Sequence, residues 1–343
     1  MVLLLLLVGP TLPACSNVLP KGEPAKQALP DSPFDNGEER AEPSSPQSDR
    51  MHLTEKKSGT APSLADKQKK ESAPVQPSSS ATRYSPEEVA SICYQSLKGL
   101  PGQFNQKELK EVCQKTLVMD GCSSEQDRPI FHYDRPGRDS EGKRILTLSL
   151  IHGDEYPSGS VARAWIARLE RLNPRNSWRV IPVMNPDGLR KGTRTNARGV
   201  DLNRNFPTKN WDDEALHKWK TLKKEDPRRY PGPYASSEVE TRCAVKHIEE
   251  FKPDFIISIH TPLGVLDFDG PKVKYPHFKP LPWISLGHFP GSLGRYMWKD
   301  RNIPVLTIEL KGDRGMRHLE QFDRLQDISG TVAIQADEAK TDK

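Results

Sequence analysis

Apolar and polar positions change their rhythm along the chain, and the rhythm predicts most of the fold. Over residues 144–151, 178–183, 253–259 and 303–310 apolar residues run almost without interruption, as in strands buried on both faces. Between them, residues 158–172 carry apolar positions at helical spacing. Ser237, Glu238, Val239 and Glu240 open a second helix ending near Phe251. Strands alternating with helices predict an α/β domain whose sheet is covered on both sides. This domain is expected over 123–336, with a tail at 337–343.

Before that domain the pattern is different. Ser85, Pro86, Glu87 and Glu88 form a capping box, followed by Val89, Ile92 and Leu97 and stopped by Gly99. A second short helix is expected from Asn105 through Leu109, Val112 and Leu117. Together they predict a small helical subdomain over 83–122, structural in the plainer reading and a lid or inhibitory segment in the other. Residues 16–82 are rich in Pro, Ser, Lys, Glu and Asp, with Phe34 as their one aromatic residue. Such a segment buries too little apolar surface to offset backbone ordering, so a disordered tether is expected.

Composition sharpens this picture in two places. In 343 residues the hydrophobic fraction of 34% and the 31 prolines are unusual for a wholly folded chain. The net charge of +5 is spread among acids rather than gathered in a stripe, which argues against a nucleic-acid partner. The first fifteen residues hold an apolar run too short to span a bilayer but long enough for a secretory signal. Leu12, Pro13, Ala14 and Cys15 resemble the lipobox of bacterial lipoproteins, although no basic residue precedes them. Cys15 is therefore the expected lipidation site, and Ser16 after it resembles the sorting signal of outer-membrane lipoproteins. Export as an anchored periplasmic protein follows as an expectation, the membrane being met only through the lipid. It would permit disulfides, and Cys93, Cys113 and Cys122 are close enough to supply one, Cys243 standing apart. A metal cluster is disfavoured, because no Cys-x-x-Cys or Cys-x-x-His spacing occurs.

Candidate chemistry gathers at strand ends. His152 and Glu155 follow the first strand and His260 ends the third, where loops beyond the carboxyl ends of strands converge in open α/β sheets. Two imidazoles and a carboxylate are a ligand set for one catalytic zinc ion. Glu309 lies in an otherwise apolar strand, so its carboxylate must be ion-paired or employed, and beside an activated water it is suited to shuttle a proton. Arg190, Arg194 and Arg198 compete as oxyanion donors. Asn203 and Arg204 offer adjacent donors for a substrate carboxylate. Asp267 and Asp269 suggest either a site for a substrate amino group or a turn at Asp-Phe-Asp-Gly. The charged insert 210–234, with Trp211, Trp219, Tyr230 and Tyr234, reads as a cleft wall or a surface excursion.

His152 to Glu155, Asn185 to Gly188, the run from Arg194 to Pro207 with Asp-Leu-Asn-Arg-Asn-Phe, Ser258 to His260 and Glu309 together resemble the zinc carboxypeptidase family. Asn205, Phe206, Pro207 and Trp211, with Pro290 to Gly294, make the likeness strongest to its bacterial murein peptide amidases. The resemblance implies a mixed, mostly parallel eight-stranded sheet between helices. It implies zinc on His152, Glu155 and His260, Glu309 as general base and acid, and Arg194 at the oxyanion. Asn203 and Arg204 would hold the substrate's terminal carboxylate, and Tyr296 is available as a tyrosine covering the substrate. Murein peptide amidases cut between γ-D-glutamate and meso-diaminopimelate, so a peptidoglycan-derived peptide is the implied substrate. Rival readings are an L,D- or D,D-carboxypeptidase on the same peptides, a non-catalytic cell-wall-peptide module, and a deacylase of small N-acyl amino acids.

Overall fold

The computed structural model describes residues 83–279, 281–312 and 321–341, so Cys15 and the leader and tether expected over 1–82 lie outside the described residues. The strands are β1 (Leu117–Ser123), β2 (Pro129–Arg135), β3 (Arg144–Ser149), β4 (Ser177–Ile181), β5 (Phe255–His260), β6 (Val265–Asp269) and β7 (Val305–Glu309). The α-helices are α1 (Pro86–Lys98), α2 (Gln106–Cys113), α3 (Tyr156–Arg171), α4 (Pro186–Lys191), α5 (Leu216–Thr221), α6 (Val239–Phe251) and α7 (Gln321–Thr341). One sheet runs β1-β2-β4-β3-β5-β7-β6. Its centre, β4 to β7, is parallel, while β1, β2 and β6 join antiparallel at the two edges. Seven strands, not eight, are present among the described residues.

The apolar runs of the sequence become strands whose successive side chains enter opposite layers. Ile145, Ile257, Ile259, Leu306 and Ile308 pack with Trp165, Ile166 and Leu169 of α3 and with Leu325 and Val332 of α7. Leu146, Leu148, Ile256 and Val305 pack on the other face with Ala244 and Ile248 of α6. This two-sided burial explains why the central strands lack polar alternation.

The helical pair belongs to the first of these layers rather than to a body of its own. Val89, Cys93 and Leu97 of α1 and Leu109 and Val112 of α2 lie in the same apolar cluster as α3, and a Cys93–Cys113 disulfide joins the two helices. The Ser85 capping box forms as expected. The buried guanidinium of Arg163 donates to the carbonyls of Leu97, Leu100, Pro101 and Gly102 at 2.7–3.1 Å, satisfying acceptors in the last turn of α1 and just beyond it. Burial lowers the Arg163 pKa to about 10. Two expected boundaries move: α2 stops at Cys113, so that Leu117 begins β1 instead of ending a helix, and residues 337–341 continue α7 instead of forming a tail.

Replacing Arg163 by Met should cost about 2–4 kcal/mol, because two buried and two partly buried carbonyls lose a charged donor. The measurement is a urea unfolding midpoint; a midpoint equal to wild type would show that α1 is held without this contact.

Candidate active site

His152, His260 and Glu309 stand together at the carboxyl end of the central strands because β3, β5 and β7 are adjacent and parallel. After β3 the chain turns through Leu150, whose φ of 48° is left-handed, and reaches His152. Gly153 follows, where a Cβ would sit 2.1 Å from the Gly188 carbonyl carbon, so only glycine lets this loop lie against α4. Glu155 occupies the N-cap position of α3 but makes no capping bond. Its carboxylate instead points into the site, 2.8 Å from His152 Nδ1 and 2.9 Å from His260 Nδ1, and accepts from the Thr261 amide at 3.2 Å.

The donor set fits a zinc ion. Both imidazoles turn Nδ1 inward, 3.2 Å apart, and engage Nε2 outside: His152 with Asp201 Oδ1 at 3.0 Å, His260 with Ser258 Oγ at 2.9 Å. A carboxylate at Nε2 takes its N–H and leaves the Nδ1 lone pair facing the centre. Two ring nitrogens and a carboxylate, all buried and within 4.8 Å of one another, match the nitrogen and oxygen ligands of a catalytic zinc. Burial opposes ionisation of Glu155, yet His152 and His260 hold its carboxyl below the usual range. Burial likewise opposes Asp201, and Arg194 and His152 hold it well below the usual range.

Arg194 is the arginine brought to this set. Its Nε and Nη2 donate to Asp201 Oδ2 at 3.1 and 2.9 Å, and Nη1 lies 3.4 Å from Glu155 Oε1. Arg190 is exposed, and Arg198 pairs with Glu238 at 3.6 Å. Glu309 ends β7 opposite His260 in register. Burial pushes its pKa up, and its described neighbours are His260, Glu155 and the Leu263 amide rather than an arginine.

Asn203 and Arg204 sit together on a short 3-10 turn, Leu202–Arg204. Asn203 Oδ1 accepts from the Leu293 amide at 2.9 Å, and Asp201 Oδ1 accepts from the Asn203 amide at 3.0 Å. Arg204 lies over the Phe289 ring at 4.7 Å, and Trp211 of the insert donates to its carbonyl at 2.9 Å. A Cβ on Gly291, whose φ is 74°, would fall 1.8 Å from that carbonyl. Burial lowers the Arg204 pKa to about 10.

Other expectations are corrected. Tyr296 is buried in the second core layer, stacked on Phe206 at 5.9 Å, so it does not cover a substrate here. Asp267 and Asp269 lie within β6, not in a turn; burial and then Asp269 raise the Asp267 pKa to about 7, and Asp269 is 2.8 Å from His288. Sequence reasoning assigned no role to Asp201 or Ser258, whose part is to set the outer nitrogens of the two histidines. The signal for Asp201 was an acid inside an otherwise amide-rich and apolar run.

The fold and the site together define a metal-dependent hydrolase built on a mixed α/β sheet. Residues 124–266 match the zinc carboxypeptidase family. Murein peptide amidase A of Escherichia coli is 35% identical over 195 residues, covering 53% of this chain and 76% of the relative. The Vibrio campbellii protein of the same name is 32% identical over 190 residues, covering 53% and 74%. Bovine thrombin-activatable fibrinolysis inhibitor, solved in complex with tick carboxypeptidase inhibitor, shares the fold at 16% identity with a TM-score of 0.52, covering 74% of this chain and 97% of that chain. The chain belongs to the zinc carboxypeptidase family and is a zinc metallopeptidase.

Asp201→Asn should weaken zinc binding about 10- to 100-fold, since the amide no longer fixes the His152 tautomer. Competition against a chromogenic chelator measures this; unchanged affinity would remove Asp201 from the account.

Proposed function

We propose that this peptidase hydrolyses peptidoglycan stem peptides at the amide bond between γ-D-glutamate and meso-diaminopimelate. The observation that carries the reading is a complete set, His152, Glu155, His260 and Glu309, in a chain 35% identical to a murein peptide amidase A. When held by His152, Glu155 and His260, zinc supplies Lewis acidity that polarises a carbonyl and makes water nucleophilic near neutral pH. Glu309 takes a proton from the attacking water and returns it to the leaving amine; the raised pKa that burial gives it suits both halves of that exchange. Arg194, with Nε and Nη2 occupied by Asp201, keeps Nη1 toward the ligand set as a donor to the developing oxyanion. Asn203 and Arg204 receive the terminal carboxylate of diaminopimelate, which would place the scissile amide between them and Glu309.

The cellular setting belongs to the same proposal. Cys15 would carry the lipid, residues 16–82 would give reach, and the domain would work in the periplasm. Two disulfides, Cys93–Cys113 and Cys122–Cys243, support an oxidising compartment.

Mass spectrometry of purified muropeptides, incubated with wild type and with Glu309→Gln, tests the activity. Wild type should release diaminopimelate from the tripeptide, and the variant should lower kcat about 10²- to 10⁴-fold while keeping its zinc. Release of terminal D-alanine alone would favour the carboxypeptidase, and two unchanged digests would favour a binding module. Arg204→Met should lower kcat/KM about 10- to 100-fold, mainly through KM, in steady-state assays on the tripeptide.

A further inference from the structure

We propose that Cys122, Cys243 and His247 form a second metal site, one that exists only when the Cys122–Cys243 disulfide is reduced. In the oxidised chain that bond joins β1 to α6. The two Sγ atoms and a ring nitrogen of His247 lie within 4.8 Å of one another, in residues 2%, 2% and 0% exposed. Cys243 and His247 are four apart on α6 and so share a helix face, while Cys122 comes from the facing strand. Ligands drawn from two distant elements escape a search for Cys-x-x-Cys.

His247 is the side chain that points to a ligand. It is fully buried, and neither ring nitrogen has a hydrogen-bond partner among the described residues. His132 packs edge-on against it at 4.9 Å, and its own buried Nδ1 is also without a partner among the described residues. Unsatisfied buried nitrogens cost stability that an aliphatic side chain would not, so a histidine here calls for a function. A neutral imidazole offers a ring lone pair that binds metal.

The charges also suit the place. Two thiolates neutralise one divalent ion, so the filled site carries no net charge into an apolar layer. Two electrons from a dithiol reductant cleave the S–S bond; the reductant leaves as its own disulfide, and Cys122 and Cys243 become thiols. Zinc then displaces both thiol protons to solvent and takes the His247 lone pair. The sulfur atoms move apart to about 3.8 Å, the spacing of two thiolates around a tetrahedral zinc. β1 and α6 thereby stay fastened in either redox state, by a covalent bond or through an ion.

Native mass spectrometry of the full chain, oxidised and phosphine-reduced, with zinc supplied, counts the ions. One zinc per oxidised chain and two per reduced chain are expected. The second ion should survive Cys93→Ser/Cys113→Ser, disappear in Cys243→Ser, and bind about 10-fold or more weakly in His247→Gln. Cobalt in its place should show a thiolate-to-metal charge-transfer band, which the sulfur-free set of His152, Glu155 and His260 cannot produce. Equal zinc counts in the two redox states overturn the proposal. So does a second ion indifferent to His247→Gln, a variant whose oxidised form should keep wild-type peptidase activity.

Discussion

The site depends on one buried charge, the carboxylate of Asp201. It is fully buried, and it lies between His152 Nε2 and the Nε and Nη2 groups of Arg194. Its Oδ1 also accepts the Asn203 amide, and its own amide donates to Tyr230 of the insert. A buried carboxylate is tolerable only when paired and hydrogen-bonded, so these contacts cannot be given up singly. A metal ligand, the arginine beside it and the turn carrying Asn203 and Arg204 are thus oriented by the same two oxygens.

The amide-rich run around Asp201 is largely scaffold. Asn196 accepts from the amides of Arg198 and Val200 and donates to the buried Glu238 and Glu240. Asn205 donates to the carbonyls of Pro231 and Tyr234 and accepts from the Glu238 amide. Asn196 satisfies two backbone donors and two buried carboxylates, and Asn205 satisfies backbone donor and acceptors alike, where no helix or strand would pair them. The insert, which composition left as cleft wall or surface excursion, is drawn in by the same means: Trp211 and Tyr230 fasten it to Arg204 and Asp201.

For the central strands legibility in the sequence followed burial, whereas β2, buried from Pro129 to Tyr133, escaped because His132 and Asp134 interrupt its apolar run. The parallel strands were readable because both faces are covered, leaving no polar alternation to confuse them. The edge strand β1 was not, since it holds Asp120 and Gly121 and is mostly exposed or partly exposed; β6 was not, since Asp267 and Asp269 mimic a turn. His152, Glu155 and His260 were readable as polar residues at the ends of apolar runs. Asp201 and Ser258 were not, because their part lies in which ring nitrogen they face, a matter of distance alone. Cys122 seemed local to Cys93 and Cys113, but β1 packs against α6, which carries its partner Cys243 across 121 residues.

What joins base and ligands is strand register. β5 and β7 pair so that His260 stands opposite Glu309, and Ser258 opposite Thr307 on the same face. Side chains alternate along a strand, so a slip of one residue would turn Glu309 away from His260 and toward the other core layer. Ile308 and Leu306 prevent that slip, because they belong in the apolar layer with Ile257 and Ile259 and would otherwise exchange places with polar neighbours. The packing of aliphatic side chains below the site therefore fixes which face of the strand presents its acid.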